Sequence, residues 1–265
     1  MLRLLAVVAL WSLPAVAERV ADTLPVFARL EAPKGTRLVL RGRPTAERAK
    51  LLSALAQAVQ QDVTRRFLSG TDASALPPVE VCLFDGSAAY HAFAVQVLGG
   101  AEPPSDLGFY EPRLRVVVAN TGLSIGNLQH ELAHALLGDD FPDVPSWLTE
   151  GVGSLYGSAR LEKNGRYRFL VNYRLRHLRA AREAGTLPDL ATLAASTSAE
   201  VYGPNVLAYY AAARYLLLSL DGRDELPGFF AAMRAAKTSK AQREVLERFV
   251  DYPKFLAWTQ TLRLP

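Results

Sequence analysis

Residues His130-Glu131-Leu132-Ala133-His134 put two imidazoles and a carboxylate within one helical turn's reach, and Glu150 follows in the same stretch, HELAHALLGDDFPDVPSWLTEG. On a helix, residues four apart share a face, so His130 and His134 would stand side by side as two ligands of one metal ion. Glu131 lies about 100° further round the axis, where its carboxylate reaches a water on that metal without ligating it. A catalytic zinc takes three protein ligands and keeps one position open, so a third ligand is required and Glu150 is the candidate. The chain holds only four histidines, and this motif uses two of them. The competing reading is a helix, a turn and a second helix whose histidines satisfy local hydrogen bonds.

These residues need two helices to carry them. The segment SIGNLQHELAHALLG has apolar residues at Leu128, Leu132, Leu136 and Leu137, which predicts a helix stopped at Gly138. The turn GDDFPDVP reverses the chain, Ser146 is the expected N-cap, and WLTEGVGSLYG begins a second helix bearing Glu150. Gly151 and Gly153 are poor helix formers and are explained if the two helices approach closely there. Asp139 and Asp140 are the nearby acids that could orient a ligating histidine.

Upstream, TRLVLRG and VEVCLFDG read as strands, separated by a long helical pattern from about Pro44 to Leu68. SAAYHAFAVQVLGG reads as a helix ended by Gly99-Gly100, and GFYEPRLRVVVAN as a hairpin. From Gly126 on, helical periodicity dominates. The expectation is an α+β chain: one domain over 18–265, with a mixed α/β lobe at 18–125 and a helical lobe at 126–265.

The opening MLRLLAVVALWSLPAVAERV has a single basic residue, Arg3, ahead of an apolar run from Leu4 to Leu13, with Ala15-Val16-Ala17 before the first acid, Glu18. This predicts a signal peptide over residues 1–17 and a secreted or periplasmic product, the apolar run being shorter than the about 20 residues a membrane span needs. No stable membrane insertion is expected after cleavage. The net charge of +4 is mild, so no nucleic-acid partner is expected. The densest basic stretch, RLEKNGRYRFLVNYRLRHLRAAREAG, reads as a hairpin around Asn164-Gly165 followed by an amphipathic helix with Arg174, Arg176, Arg179 and Arg182 mostly exposed. Cys82 is the only cysteine, which excludes an intrachain disulfide and, in its apolar run, reads as a buried small hydrophobe.

His130 to His134, followed by Trp147-Leu148-Thr149-Glu150-Gly151, resembles the gluzincin metallopeptidases, and the short interval and the PSWLTEG wording are most similar to the small secreted peptidase MA-like proteins. The resemblance is specific over Gly108 to Gly157 and looser beyond. It implies a zincin-like fold and one Zn2+ per chain held by His130, His134 and Glu150. It also implies that either Arg115 to Ala119 is the edge strand that pairs with an extended substrate, or that segment is an interior strand; both readings stay open. Tyr202, in VYGPNVLAYYAAARYLLLSL, best matches the tyrosine that related aminopeptidases use on the oxyanion, although Pro204 departs from their wording and Tyr209 and Tyr210 are rivals.

The chemistry these residues support is hydrolysis of peptide bonds, with a zinc-bound water, Glu131 as general base and Tyr202 as oxyanion donor. The partner is then a peptide or protein substrate. No GAMEN-type amine-binding motif is evident, which leans the reading toward internal cleavage. Two alternatives compete: a non-catalytic binding or assembly module on the same fold, against which the intact Glu131 argues, and a metal-dependent hydrolase of a non-peptide bond. Oligomeric state is not legible.

Overall fold

The computed structural model describes residues 29–30, 35–68 and 76–265. The expected signal peptide, residues 1–17, lies outside the described residues. Strand β1 (Leu38–Gly42) leads into helix α1 (Ala46–Phe67), capped by Thr45, whose hydroxyl accepts from the Arg48 amide at 3.3 Å. Strand β2 (Val79–Phe84) is followed by α2 (Ser87–Val97), and β3 (Gly108–Glu111) and β4 (Val116–Asn120) form the expected hairpin. The sheet order is β1–β2–β4–β3, with the first three strands parallel and β3 antiparallel at one edge.

The sheet's two faces follow the alternation of its strands. Leu38, Leu40, Val81, Leu83, Val117 and Ala119 join the large core under α1, which presents Leu52, Ala56, Val59, Val63 and Phe67 on one face. Cys82, Phe84, Val116 and Val118 point the other way, against Tyr90, Phe93 and Val97 of α2. Burial pushes the Cys82 thiol up to about 12, so it packs as the sequence suggested and is inert at neutral pH.

This packing decides the question left open about Arg115 to Ala119. β4 is buried at every residue and hydrogen-bonded on both flanks, by β2 and by β3. Its run of Val-Val-Val-Ala has the continuous apolar character of a strand covered on both faces, so it is interior and cannot accept another strand. The edge is β3. Arg115 lies outside β4, at the end of the hairpin turn with φ 54°.

The second half is helical apart from one small hairpin. Helix α3 (Ile125–Asp140) carries the histidines and α4 (Ser146–Tyr156) carries Glu150. Strands β5 (Ala159–Leu161) and β6 (Tyr167–Phe169) flank the expected turn, where Gly165 adopts φ 75°. Helices α5 (Arg174–Glu183), α6 (Leu190–Ala195), α7 (Ser198–Val201), α8 (Val206–Asp221), α9 (Leu226–Ala235), α10 (Ser239–Phe249) and α11 (Tyr252–Thr261) complete the chain. Among the described residues no helix is long and apolar enough to cross a membrane.

Three local expectations are corrected. Gly138 does not stop α3, which runs on to Asp140 because ion pairs hold its last turn. Asp139 takes Arg37 and Arg115, and Asp140 takes Arg234. Ser146 is the first residue of α4 rather than its cap, which is Pro145, and its hydroxyl bonds Ser198 at 2.6 Å. Of the four arginines on α5, only Arg176 and Arg182 are exposed. Arg179 instead donates to the carbonyls of Thr259, Gln260 and Leu262, satisfying the end of α11.

Candidate metal centre

Ser124 starts α3 by accepting from the Asn127 amide at 3.0 Å, which sets the phase of the helix. In that phase Leu128, Leu132, Ala135 and Leu136 enter the core while His130 and His134 emerge together on another face. Their Nε2 atoms are 2.8 Å apart. The buried carboxylate of Glu150 meets them from α4, with Oε2 at 3.4 Å from His130 Nε2 and 3.7 Å from His134 Nε2. Ligands on a tetrahedral zinc stand about 3.3 Å apart for bonds of about 2.0–2.1 Å, so these three separations bracket what the ion requires.

Two further observations bear on the fit. Glu150 Oε2 is buried without a hydrogen-bond partner, a costly state for a carboxylate oxygen that a cation would relieve. Gly153, one helical turn from Glu150, lies against both imidazoles: a Cβ there would stand 2.8 Å from His130 Nε2 and 2.9 Å from His134 Nε2. Gly151, on the opposite side of α4, would drive a Cβ to 2.8 Å from Leu217 and 3.1 Å from Ala213 on α8. The two glycines thus let α4 sit between α3 and α8. The donor set of two imidazoles and one carboxylate fits zinc.

The electrostatics favour a charged cluster. Burial pushes the Glu150 carboxyl up, but the His134 and His130 imidazoles beside it outweigh burial and hold the group well below the usual carboxylate range. Burial lowers His134, yet Glu150, reinforced by Glu131, leaves it raised.

The structure also names an orienting residue that sequence reasoning missed. His134 Nδ1 lies 2.7 Å from Thr149 Oγ1. A neutral His134 that offered Nε2 to a metal would carry its proton on Nδ1 and donate it to Thr149, the outer-shell arrangement typical of metal-bound histidine. Asp139 and Asp140, the sequence candidates for that role, are spent on arginines elsewhere. Thr149 adjoins Glu150 in sequence, but nothing in its residue type distinguishes it until the two helices are docked.

Glu131 is buried, and Asn127, one turn earlier, donates to its Oε1 at 3.3 Å. Its charge is felt at His134 and at Tyr202, so it borders the cluster without entering the ligand set. Tyr202 reaches the site: its hydroxyl donates to Glu150 Oε1 at 2.9 Å. Burial and the Glu150 and Glu131 carboxylates raise it far above its ordinary value, so it stays a proton donor. Tyr210 stands beside Tyr202, ring centroids 6.4 Å apart, and is also raised by burial and by Glu150. Tyr209 is buried towards Glu200 instead and takes no part. Comparison with protein-family models and with curated proteins finds no match for this chain.

Proposed function

We propose that this chain is an exported zinc peptidase of the gluzincin type, with a zincin-like fold and one Zn2+ held by His130, His134 and Glu150. The observation that carries the reading is the convergence of three candidate ligand atoms, one of them a buried Glu150 oxygen that accepts no hydrogen bond, over a glycine that leaves the imidazoles room. The small mixed sheet with an antiparallel edge strand beside α3 agrees with it.

Zinc bound here supplies a Lewis acid for a carbonyl oxygen and brings the pKa of water toward about 7. Glu131, braced by Asn127, takes the proton of the attacking water and returns it to the leaving amine. Tyr202, protonated and 2.9 Å from a ligand oxygen, is the donor for the developing oxyanion. Thr149 fixes the ring of His134. The outer edge of β3, with no strand beyond it among the described residues, offers backbone groups to an extended peptide.

The test is the metal content of purified wild type beside His134→Ala by elemental mass spectrometry, followed by peptide hydrolysis with Glu131→Gln as control. One zinc per chain, lost in His134→Ala, and hydrolysis lost in a zinc-loaded Glu131→Gln are expected. A folded wild type that takes up no zinc sinks the reading.

A further inference from the structure

The strongest unassigned feature borders the candidate centre. Arg174, at the start of α5, is half-buried, and its guanidinium carbon lies 4.9 Å from the centroid of the Tyr210 ring and 5.4 Å from that of Tyr173. Tyr210 feels the charge of the Glu150 carboxylate and packs its ring on Tyr202, whose hydroxyl donates to Glu150 Oε1 at 2.9 Å. One phenol therefore separates Arg174 from the cluster of His130, His134 and Glu150. Among the described residues no carboxylate lies within ion-pair reach of Arg174, and the hydrogen bond it makes is from its backbone amide to Asn172 Oδ1 at 3.0 Å.

An arginine stacked on an aromatic ring engages the ring with its flat face. Its N–H donors lie in the plane and point away from the stack, in the fork that matches a carboxylate. Here the guanidinium lies against two rings on a half-buried side chain, which lowers the cost of ordering it for a bidentate carboxylate bond. Exposed apolar groups lie on the same elements: Tyr173, against the guanidinium, is 56% exposed, and Leu207, one turn before Tyr210 on α8, is 51% exposed. A cation with its partner missing, beside uncovered apolar surface and one ring from the candidate metal, has the composition of a substrate subsite.

We propose that Arg174 recognises a carboxylate of the substrate, making it the residue that sets specificity at the centre proposed above. The inference rests on the peptidase reading for its substrate class. The carboxylate is that of a chain terminus or of an aspartate or glutamate side chain next to the cleaved bond; both present the same group to the fork.

The test offers zinc-loaded wild type, Arg174→Ala and Arg174→Lys three pools of sequence-randomised N-acetyl hexapeptides, with products read by mass spectrometry. The first pool ends in free acids and lacks Asp and Glu, the second is its C-terminal amide, and the third is an amide containing one Asp or Glu. Wild type is expected to prefer one carboxylate-bearing pool over the neutral amides by about 10- to 100-fold. Arg174→Ala should lose that preference through KM and be partly restored by Arg174→Lys. Preference for the free acids assigns the chain terminus, and preference for the acidic amides assigns the side chain. Equal cleavage of all pools by wild type, or a preference retained in Arg174→Ala, overturns the proposal.

If zinc-loaded wild type cleaves no pool, the peptidase reading has failed, and calorimetry then judges the carboxylate site separately. Carboxylate-dependent binding to metal-free Glu131→Gln that disappears in Glu131→Gln/Arg174→Ala sustains it. Binding without that dependence, or none, overturns it. Circular dichroism of the variants excludes misfolding as the cause.

Discussion

Gly153 lies against His130 so closely that a Cβ on the glycine would stand 2.8 Å from the ring Nε2, the atom that faces Glu150. The contact couples the backbone of α4 to the ligand geometry of α3. Two opposed effects meet in Gly153→Ala. Helix propensity favours alanine by about 1 kcal/mol. Overpacking against two rings wedged between helices costs about 1–3 kcal/mol. The clash should win, lowering stability and pushing the imidazoles apart, with zinc affinity falling at least tenfold. Competition with a chromogenic chelator reads the affinity, and an unchanged value would contradict the packing argument.

Thr149 should matter for metal binding although it touches no metal. Thr149→Val keeps shape and removes the acceptor for His134 Nδ1. Zinc affinity is expected to fall by about 10- to 100-fold, with Thr149→Ser close to wild type. Equal loss in both variants would point to packing of the methyl group instead of the hydrogen bond.

Tyr202→Phe separates two roles of one hydroxyl. At saturating zinc, kcat is expected to drop by about 10²–10³ with KM little changed, the cost of losing an oxyanion donor. Tyr210→Phe should be milder. If Tyr202→Phe loses zinc affinity and keeps full kcat once loaded, its hydroxyl serves only Glu150 Oε1, the contact at 2.9 Å.

Metal removal should be visible as lost stability. Zinc at about 100 times its dissociation constant adds about 2.7 kcal/mol to the folded state. For a chain of this size that is a fall in Tm of roughly 5–10 °C on chelation. Glu150→Ala should abolish the zinc-dependent part of the shift, and a full shift in that variant would remove Glu150 from the ligand set.

Much of the molecule is legible from local pattern. The α1 face, the Val-rich strands, the β3–β4 hairpin and the helix bearing His130 and His134 follow from spacing and from turn residues, because they depend on neighbours a few positions away. The ends of elements were less secure. The end of α3 depends on Arg37, Arg115 and Arg234, distant in sequence, so Gly138 misled.

The sequence by itself determined the candidate ligands: residue type and a four-residue helical interval suffice to put His130 and His134 on one face, and Glu150 is the next acid on the following helix. Only the tertiary structure decided which groups surround them. β4 became interior because β2 and β3 occupy both its flanks. Thr149 displaced Asp139 and Asp140 as the partner of His134, and Tyr202 and Tyr210 were separated from Tyr209. The physical reason is range. Helical phase is set by hydrogen bonds four residues long, whereas a hydrogen bond between side chains on different helices exists only after α4 has docked between α3 and α8, an arrangement that the Cβ-free surfaces of Gly151 and Gly153 permit.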